Sequence, residues 1–193
     1  TDDVFTFKNF PSSFLKVPLC INLEGAIYDG AEMPKSGVFN SVKALDSFGS
    51  FNFSHPFVAN NHIHDLPSGL SKTRQYFQTK NLSLVGDTVS DEPVLFKTEQ
   101  FEYAVLGFGW SVIGCKTSTQ NGNGVNSFNR QNALRQVEQT QKKHSAAKLV
   151  VVVHGNYEFE PYPQPGHRKL AKELIDLGVH AVIFHHPHIV GPI

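Results

Sequence analysis

The chain has no surplus of charge of either sign: seventeen basic residues cancel seventeen acidic ones. A domain-wide positive field that would recruit a phosphate backbone is therefore absent, which excludes a nucleic-acid footprint. Long hydrophobic runs are missing too. The longest, residues 149–153, is strand-sized, well short of the roughly 20 apolar residues of a membrane span, so no transmembrane segment is expected. No signal peptide opens the chain. Cysteine is scarce: Cys20 and Cys115 are the two, each beside apolar residues and neither in a Cys-x-x-Cys pair. Two buried, reduced thiols are expected rather than a disulfide or a thiolate metal site. With the neutral charge, this leads to the expectation of a cytoplasmic protein, or of an extracytoplasmic, membrane-associated one if the native chain extends upstream. A Gly-x-Ser-x-Gly elbow, a P-loop and a Rossmann glycine fingerprint are all missing. Internal repeats and low-complexity tails are missing as well.

What is present suits an ordinary soluble domain. At 193 residues, 40% apolar and 18% charged, residues 1–193 are expected to build a single domain with a real core, or a large fragment of one. Histidine is the unusual count, at ten. Seven of the ten (His55, His62, His64, His154, His185, His186, His188) lie in or beside three clusters that adjoin hydrophobic runs. The sixteen phenylalanines read as core and cleft packing.

Periodicity and turn residues predict the elements. Residues 17–23, 53–59 and 82–86 read as strands, 41–48 and 69–80 as helices. Residues 93–98 and 101–108 read as a hairpin, with a third strand over 110–115. Residues 117–127 read as a loop rich in Ser, Thr, Asn and Gly, and 129–144 as a polar helix. A buried strand over 149–153, a long loop over 155–166, a helix over 167–177 closed by Gly178 and a last strand over 179–184 complete the chain. This order predicts an α/β protein with helices covering its sheets.

Buried strands do not normally end in side chains that need partners or ions. When several do so in one chain, the strand ends are expected to converge on one site. His185-His186-Pro187-His188 follows the apolar run 181–184. Histidines two apart on a loop can turn to one ion, neutral imidazole being a good ligand for transition metals. Pro187 stiffens the backbone between them. The bland alternative, an exposed His-rich terminus, sits poorly with the strand before it. His154 follows five aliphatic residues and serves equally as a ligand or a strand cap. Asn60-Asn61-His62 offers an amide oxygen suited to a divalent ion and a histidine suited to general acid work or to gripping an oxyanion. An ordinary Asn-rich turn is the alternative. Asp65 stands where it could orient His62. Glu24, at the end of 17–23, offers the carboxylate that a His/Asn set lacks.

These segments, in this order, resemble the CapA family of capsule and poly-γ-glutamate synthesis proteins. Asn22-Leu23-Glu24-Gly25 resembles its Asn-Leu-Glu segment. Ala59-Asn60-Asn61-His62 with Asp65, and His154-Gly155-Asn156-Tyr157-Glu158, resemble two further segments. Leu174 to Gly178 followed by His185-His186-Pro187-His188 resembles its last. The family is similar to the calcineurin-like metallophosphoesterases, which implies a four-layer αββα sandwich with a divalent metal site (manganese, zinc or iron, one or two ions) at the strand ends. Carried over, the resemblance makes Glu24, Asn61, His154, His186 and His188 metal ligands and His62 the acid, with Asp65 behind it. Asn22, Asn60, Glu158 and His185 become supporting or substrate-facing residues. The chain departs from the pattern in three ways. The upstream Gly-Asp carboxylate has no match, Phe184 replaces a glycine, and a later Leu-Gly-Asn-Phe segment is absent. A piece cut at both ends, lacking terminal elements, or a shortened variant is therefore expected.

The resemblance implies a metal-dependent phosphoester hydrolase acting on a cell-surface polymer or its sugar or peptide precursor, alongside other capsule or O-antigen synthesis proteins. An amide hydrolase or amide-forming helper fits the same residues. The rival class is a non-catalytic scaffold of such an assembly system. A third reading, a carbohydrate binder, draws on Phe51, Phe53, Tyr157 and Tyr162.

Overall fold

The computed structural model describes residues 11, 17–47, 52–89, 91–118 and 123–191. The expectations for residues 1–10 and 12–16, for Phe51 and for the middle of the 117–127 loop lie outside the described residues. In chain order the elements are β1 (Ala26–Tyr28), β2 (Phe39–Ser41), α1 (Val42–Ser47), α2 (Gly69–Thr79), β3 (Val94–Lys97) and β4 (Glu102–Gly109). Then come β5 (Thr117–Ser118), β6 (Val125–Asn126), α3 (Arg130–Lys143), β7 (Lys148–His154), α4 (Pro165–Asp176) and β8 (Ala181–His185).

The main sheet has the order β3-β4-β7-β8. β3 and β4 form the expected antiparallel hairpin, and β4, β7 and β8 run parallel. β7 reads as a continuous aliphatic run because both its faces are covered. Leu149, Val151 and Val153 pack on one side with Leu170 and Leu174 of α4 and Ala133 and Val137 of α3. Val150 and Val152 pack on the other, with Phe57, Val58, Val85 and Val105. A third cluster joins Leu23 and Ile27 to Phe77 of α2 and to Val42 and Leu45 of α1. Three apolar seams separate four layers: α3 and α4, the main sheet, a thinner β layer, then α1 and α2. This is the expected αββα order.

The two β layers approach closely at two glycines. A Cβ on Gly107 of β4 would lie 2.8 Å from Gly86 N and 2.9 Å from Gly86 Cα, and Gly86 itself has φ +84°. Only hydrogen fits there.

The thin layer departs from expectation. Residues 17–23, 53–59 and 82–86 run extended, but they pair only at single points: Leu19 with Phe53, Asn22 with Phe57, and Phe57 with Val85. Pro18 and Pro56 remove two N–H donors from this layer and so interrupt the ladder. Cys115 is buried as expected, but Cys20 is exposed. In the extended segment side chains alternate, so Leu23 enters the core while Cys20 and Asn22 face outward. Residues 110–115 are not a strand: the chain leaves the sheet in a 3-10 turn at Ser111–Ile113 and reverses at Gly114 (φ 95°). The 117–127 loop carries the short parallel pair β5 and β6 instead.

The helices follow their end signals. Asn129 caps α3, its Oδ1 accepting from Asn132 N at 2.9 Å. Pro165 starts α4, and Gly178 (φ 94°) follows it. No helix among the described residues is long and apolar enough to cross a membrane.

Candidate metal centre

Strand register builds the first part of the site. Gly109 of β4 pairs with His154 of β7, and His154 pairs with His185 of β8. Three parallel strands therefore end in one row, the usual place for a site in such sheets. His154 is fully buried. Its Nδ1 lies 3.0 Å from His185 Nδ1 and its Nε2 lies 2.7 Å from Asn61 Oδ1.

Asn61 arrives on the turn after the buried run Phe57-Val58-Ala59. Its neighbour Asn60, also fully buried, is a tie. Asn60 Nδ2 donates to Leu23 O at 2.8 Å, while Oδ1 accepts from His62 N at 3.2 Å and Gly25 N at 3.4 Å. It locks the Glu24 segment to the His62 turn. His62 Nδ1 lies 2.8 Å from Asp65 Oδ2, and the same oxygen accepts from Val38 N at 2.9 Å.

Glu24 sits before Gly25, whose φ of +88° and 2.5 Å approach of a notional Cβ to Val38 O admit no side chain. Asn22 Nδ2 donates to Glu24 Oε2 at 3.1 Å. Glu24 Oε1 is buried and makes no hydrogen bond among the described residues. It lies 3.9 Å from His62 Nε2 and 3.9 Å from His154 Nε2.

The last part is the loop after β8. Donor atoms of Glu24, His186 and His188 lie within 4.8 Å of one another, and His186 Nδ1 is buried without a hydrogen-bond partner among the described residues. His186 and His188 take φ of 108° and 59°, a conformation that non-glycine residues hold only where their surroundings impose it. Two ties impose it here: Gly155 N donates to His185 O at 3.0 Å, and Phe159 N donates to Pro187 O at 2.8 Å. Glu158 stands exposed on the 155–164 loop and its charge acts on His186. A cavity of about 640 Å³ opens over the site, lined by Asn22, Glu24, Glu160, His185, His186 and His188 among others.

Electrostatics keep the inner histidines neutral. Burial, and after it the neighbouring His185, His186 and His62, push His154 down to about 2. Burial, then His186, pushes His185 down to about 4. Burial also lowers His186, against the opposing charges of Glu158 and Glu24. At Asp65 the cost of burial is outweighed by the hydrogen bonds from Val38 N–H and His62, which hold the carboxyl below its ordinary value. Neutral imidazole is the form that ligates.

These residues fit a divalent ion. Ligands each about 2.0–2.2 Å from one centre stand up to about 4.4 Å apart. The 3.9 Å between Glu24 Oε1 and His154 Nε2 is too long for a hydrogen bond and matches two ligands of one ion, and among the described residues neither Glu24 Oε1 nor His186 Nδ1 has a hydrogen-bond partner.

Sequence reasoning missed two supports. Val38 N–H is a second donor to Asp65, and a backbone group leaves no mark in a sequence pattern. Asn156, buried at φ 83°, clamps the loop beside the site: its Nδ2 donates to Tyr162 O and its Oδ1 accepts from Gln164 N, both at 3.2 Å. The Gly155-Asn156 pair was the available signal, since Asn tolerates the left-handed region.

Comparison with known proteins agrees with the order of the motifs. The family described as bacterial capsule synthesis protein PGA_cap matches residues 18–193. The chain is 29% identical to the capsule biosynthesis protein CapA of Bacillus anthracis, over 78% of this chain and 38% of the relative. It is 28% identical to the PGA biosynthesis protein CapA of Bacillus subtilis (strain 168), over 79% of this chain and 40% of the relative. The chain thus spans about two fifths of the length of these curated relatives. With a mixed α/β fold of the metallophosphoesterase-like type and a family match reaching from the Glu24 segment through the terminal histidines, the chain belongs to the bacterial capsule synthesis family PGA_cap.

Proposed function

We propose that this chain carries the centre of a metal-dependent, phosphoesterase-like hydrolase that acts in the synthesis of a bacterial surface polymer. One observation carries the reading: a buried carboxylate oxygen, Glu24 Oε1, has no hydrogen bond among the described residues and faces the nitrogens of His62 and His154 at 3.9 Å. An unpaired buried carboxylate is costly unless an ion completes it. The capsule-synthesis relatives supply the polymer context, with the polymer or its sugar or peptide precursor as substrate.

Glu24, Asn61, His154, His186 and His188 would hold one or two ions of manganese, zinc or iron. Such an ion lowers the pKa of a bound water and stabilises charge on a phosphoryl or acyl oxygen. The chain's own residues do the rest. Asp65 holds His62 through Nδ1, which leaves Nε2 as the nitrogen that faces the site and passes a proton to the leaving group. Asn22 holds the second oxygen of Glu24 in place. Asn60 fixes the distance between the Glu24 and His62 segments.

Elemental analysis of untagged protein purified without chelator tests the reading, beside the His186→Ala/His188→Ala variant. About one or two equivalents of a transition metal are expected in the wild type and a loss in the variant, followed by turnover in a screen of phosphoesters and amides. A wild-type protein that takes up neither manganese nor zinc sinks the proposal.

A further inference from the structure

The loop after β7 runs Tyr157-Glu158-Phe159-Glu160-Pro161-Tyr162, so rings and carboxylates alternate along it. Phe159 and Tyr162 are 68% and 67% exposed. Phe159 also holds φ 58°, a conformation that a bulky side chain keeps only where its surroundings impose it. Its N–H bond to Pro187 O and the Asn156 clamp on Tyr162 O and Gln164 N supply the restraint. The backbone is thus tied down while the rings face water. Neighbouring large rings shown to water on a tied loop mark a recognition surface.

That surface borders the metal centre. The Phe159 ring centroid lies 6.5 Å from that of His188, and Glu160, Pro161 and Pro163 line the cavity over the site. Tyr157 rests against Trp110 at 5.4 Å and anchors the start of the loop. The chemistry of this rim selects its occupant. Aromatic faces offer flat apolar contact, and a carboxylate only accepts hydrogen bonds. The ligand must therefore have an apolar face and several donors around its edge. A pyranose has both: its C–H groups cover the faces and its hydroxyls donate. A polyglutamate chain would bring carboxylates to carboxylates, a juxtaposition that costs affinity. Among the described residues lining the cavity there is no Lys or Arg, and the acidic ones are Glu24 and Glu160. An ion held by Glu24 would offset that charge, whereas Glu158 and Glu160 stand exposed on the loop. We infer that Phe159, Tyr162 and Glu160 form a sugar subsite at the rim of the metal cavity, the two rings stacking on a pyranose and Glu160 taking its hydroxyls. A sugar seated on Phe159 lies beside His188, so the linkage to be cleaved belongs to a sugar-containing precursor and not to polyglutamate.

The role of that sugar as substrate rests on the metal reading above, and the test keeps the two apart. Backbone ¹H–¹⁵N spectra of the wild-type chain are followed as glucose, galactose or N-acetylglucosamine is added, with tri-γ-glutamate in a separate arm. Zinc and manganese uptake is measured on the same preparation. The amide signals of Tyr157 to Glu160 and of Tyr162 are expected to shift and saturate with at least one of the sugars and to stay in place with tri-γ-glutamate. Phe159→Ala is expected to weaken sugar binding about tenfold, the worth of roughly 55 Å² of lost apolar contact, and Phe159→Trp to retain it. Glu160→Ala is expected to weaken it too, whereas Glu160→Gln keeps an acceptor oxygen and most of the affinity. No shift with any of the sugars, tri-γ-glutamate binding at these residues as tightly as the sugar, or equal sugar affinity in wild type and Phe159→Ala would overturn the inference while leaving the metal site standing. Sugar binding by a protein that takes up neither ion would uphold the subsite and sink the metal reading.

Discussion

The Asp65 carboxylate lies 2.8 Å from His62 Nδ1 and turns the other ring nitrogen toward Glu24. Under the proposed function, this pair serves the chemistry and does not hold the metal. His62→Ala is expected to lower kcat by about 10²–10⁴-fold, the usual range for a lost general acid, with metal content and Tm close to wild type. Asp65→Asn is expected to lower kcat less, with KM unchanged. Turnover by His62→Ala at the wild-type rate would remove His62 from the acid role.

Glu24 gives a prediction of opposite sign for the two forms of the protein. Its Oε1 is buried without a hydrogen-bond partner among the described residues, so Glu24→Gln is expected to leave the metal-free protein as stable as wild type or more stable. The rise in Tm that manganese or zinc produces in the wild type should be absent in the variant. Differential scanning fluorimetry with and without the ion reads both effects. An undiminished metal-induced rise would remove Glu24 from the ligand set.

His167 carries an acid sensitivity unrelated to metal. It is buried, and the rings of Trp110, Phe128 and Phe184 surround it at centroid distances of 4.4, 5.2 and 5.6 Å. Burial lowers its pKa below the ordinary 6.5. The unfolded chain therefore binds a proton that the folded ring refuses. The stabilising difference is fully present above pH 6.5 and is lost as pH falls from there toward the folded value, by up to about 1.4 kcal/mol per pH unit. Urea unfolding of wild type and His167→Phe between pH 7 and pH 5 checks this. The variant should lose less stability across that range, and equal losses would rule the mechanism out.

Gly107 tests the seam between the two β layers. A methyl group there would meet the Gly86 backbone at 2.8–2.9 Å, and backbone cannot rotate aside. Gly107→Ala is expected to destabilise by about 1–3 kcal/mol, seen as a lower denaturation midpoint with unchanged m-value. Leu174→Ala removes a fully buried side chain of α4 on the other face of the sheet and is expected to cost about 2–5 kcal/mol.

Much of the fold is determined by local pattern. The hairpin β3–β4, the helices α2, α3 and α4 and the strands β7 and β8 come from periodicity and end signals that act within a few residues, so the sequence by itself specifies them. The candidate site residues were also legible in the sequence. His154, His186, His188, Asn61 and Glu24 stand out because each follows an apolar run and is of a type that such runs do not end in. Tertiary structure alone decided the rest, because it depends on contacts between distant residues. The thin β layer pairs at single points, which no strand propensity foretells. Cys20 faces outward because the alternation of its segment, set by which side meets the core, places Leu23 inside. Asn60, read as a supporting or substrate-facing residue, bonds through both side-chain polar atoms to backbone from a segment some 35 residues away, a contact that no local pattern announces. The nearness of His154 and His185 follows from β7–β8 register, and that register is fixed by which faces of two strands are buried together.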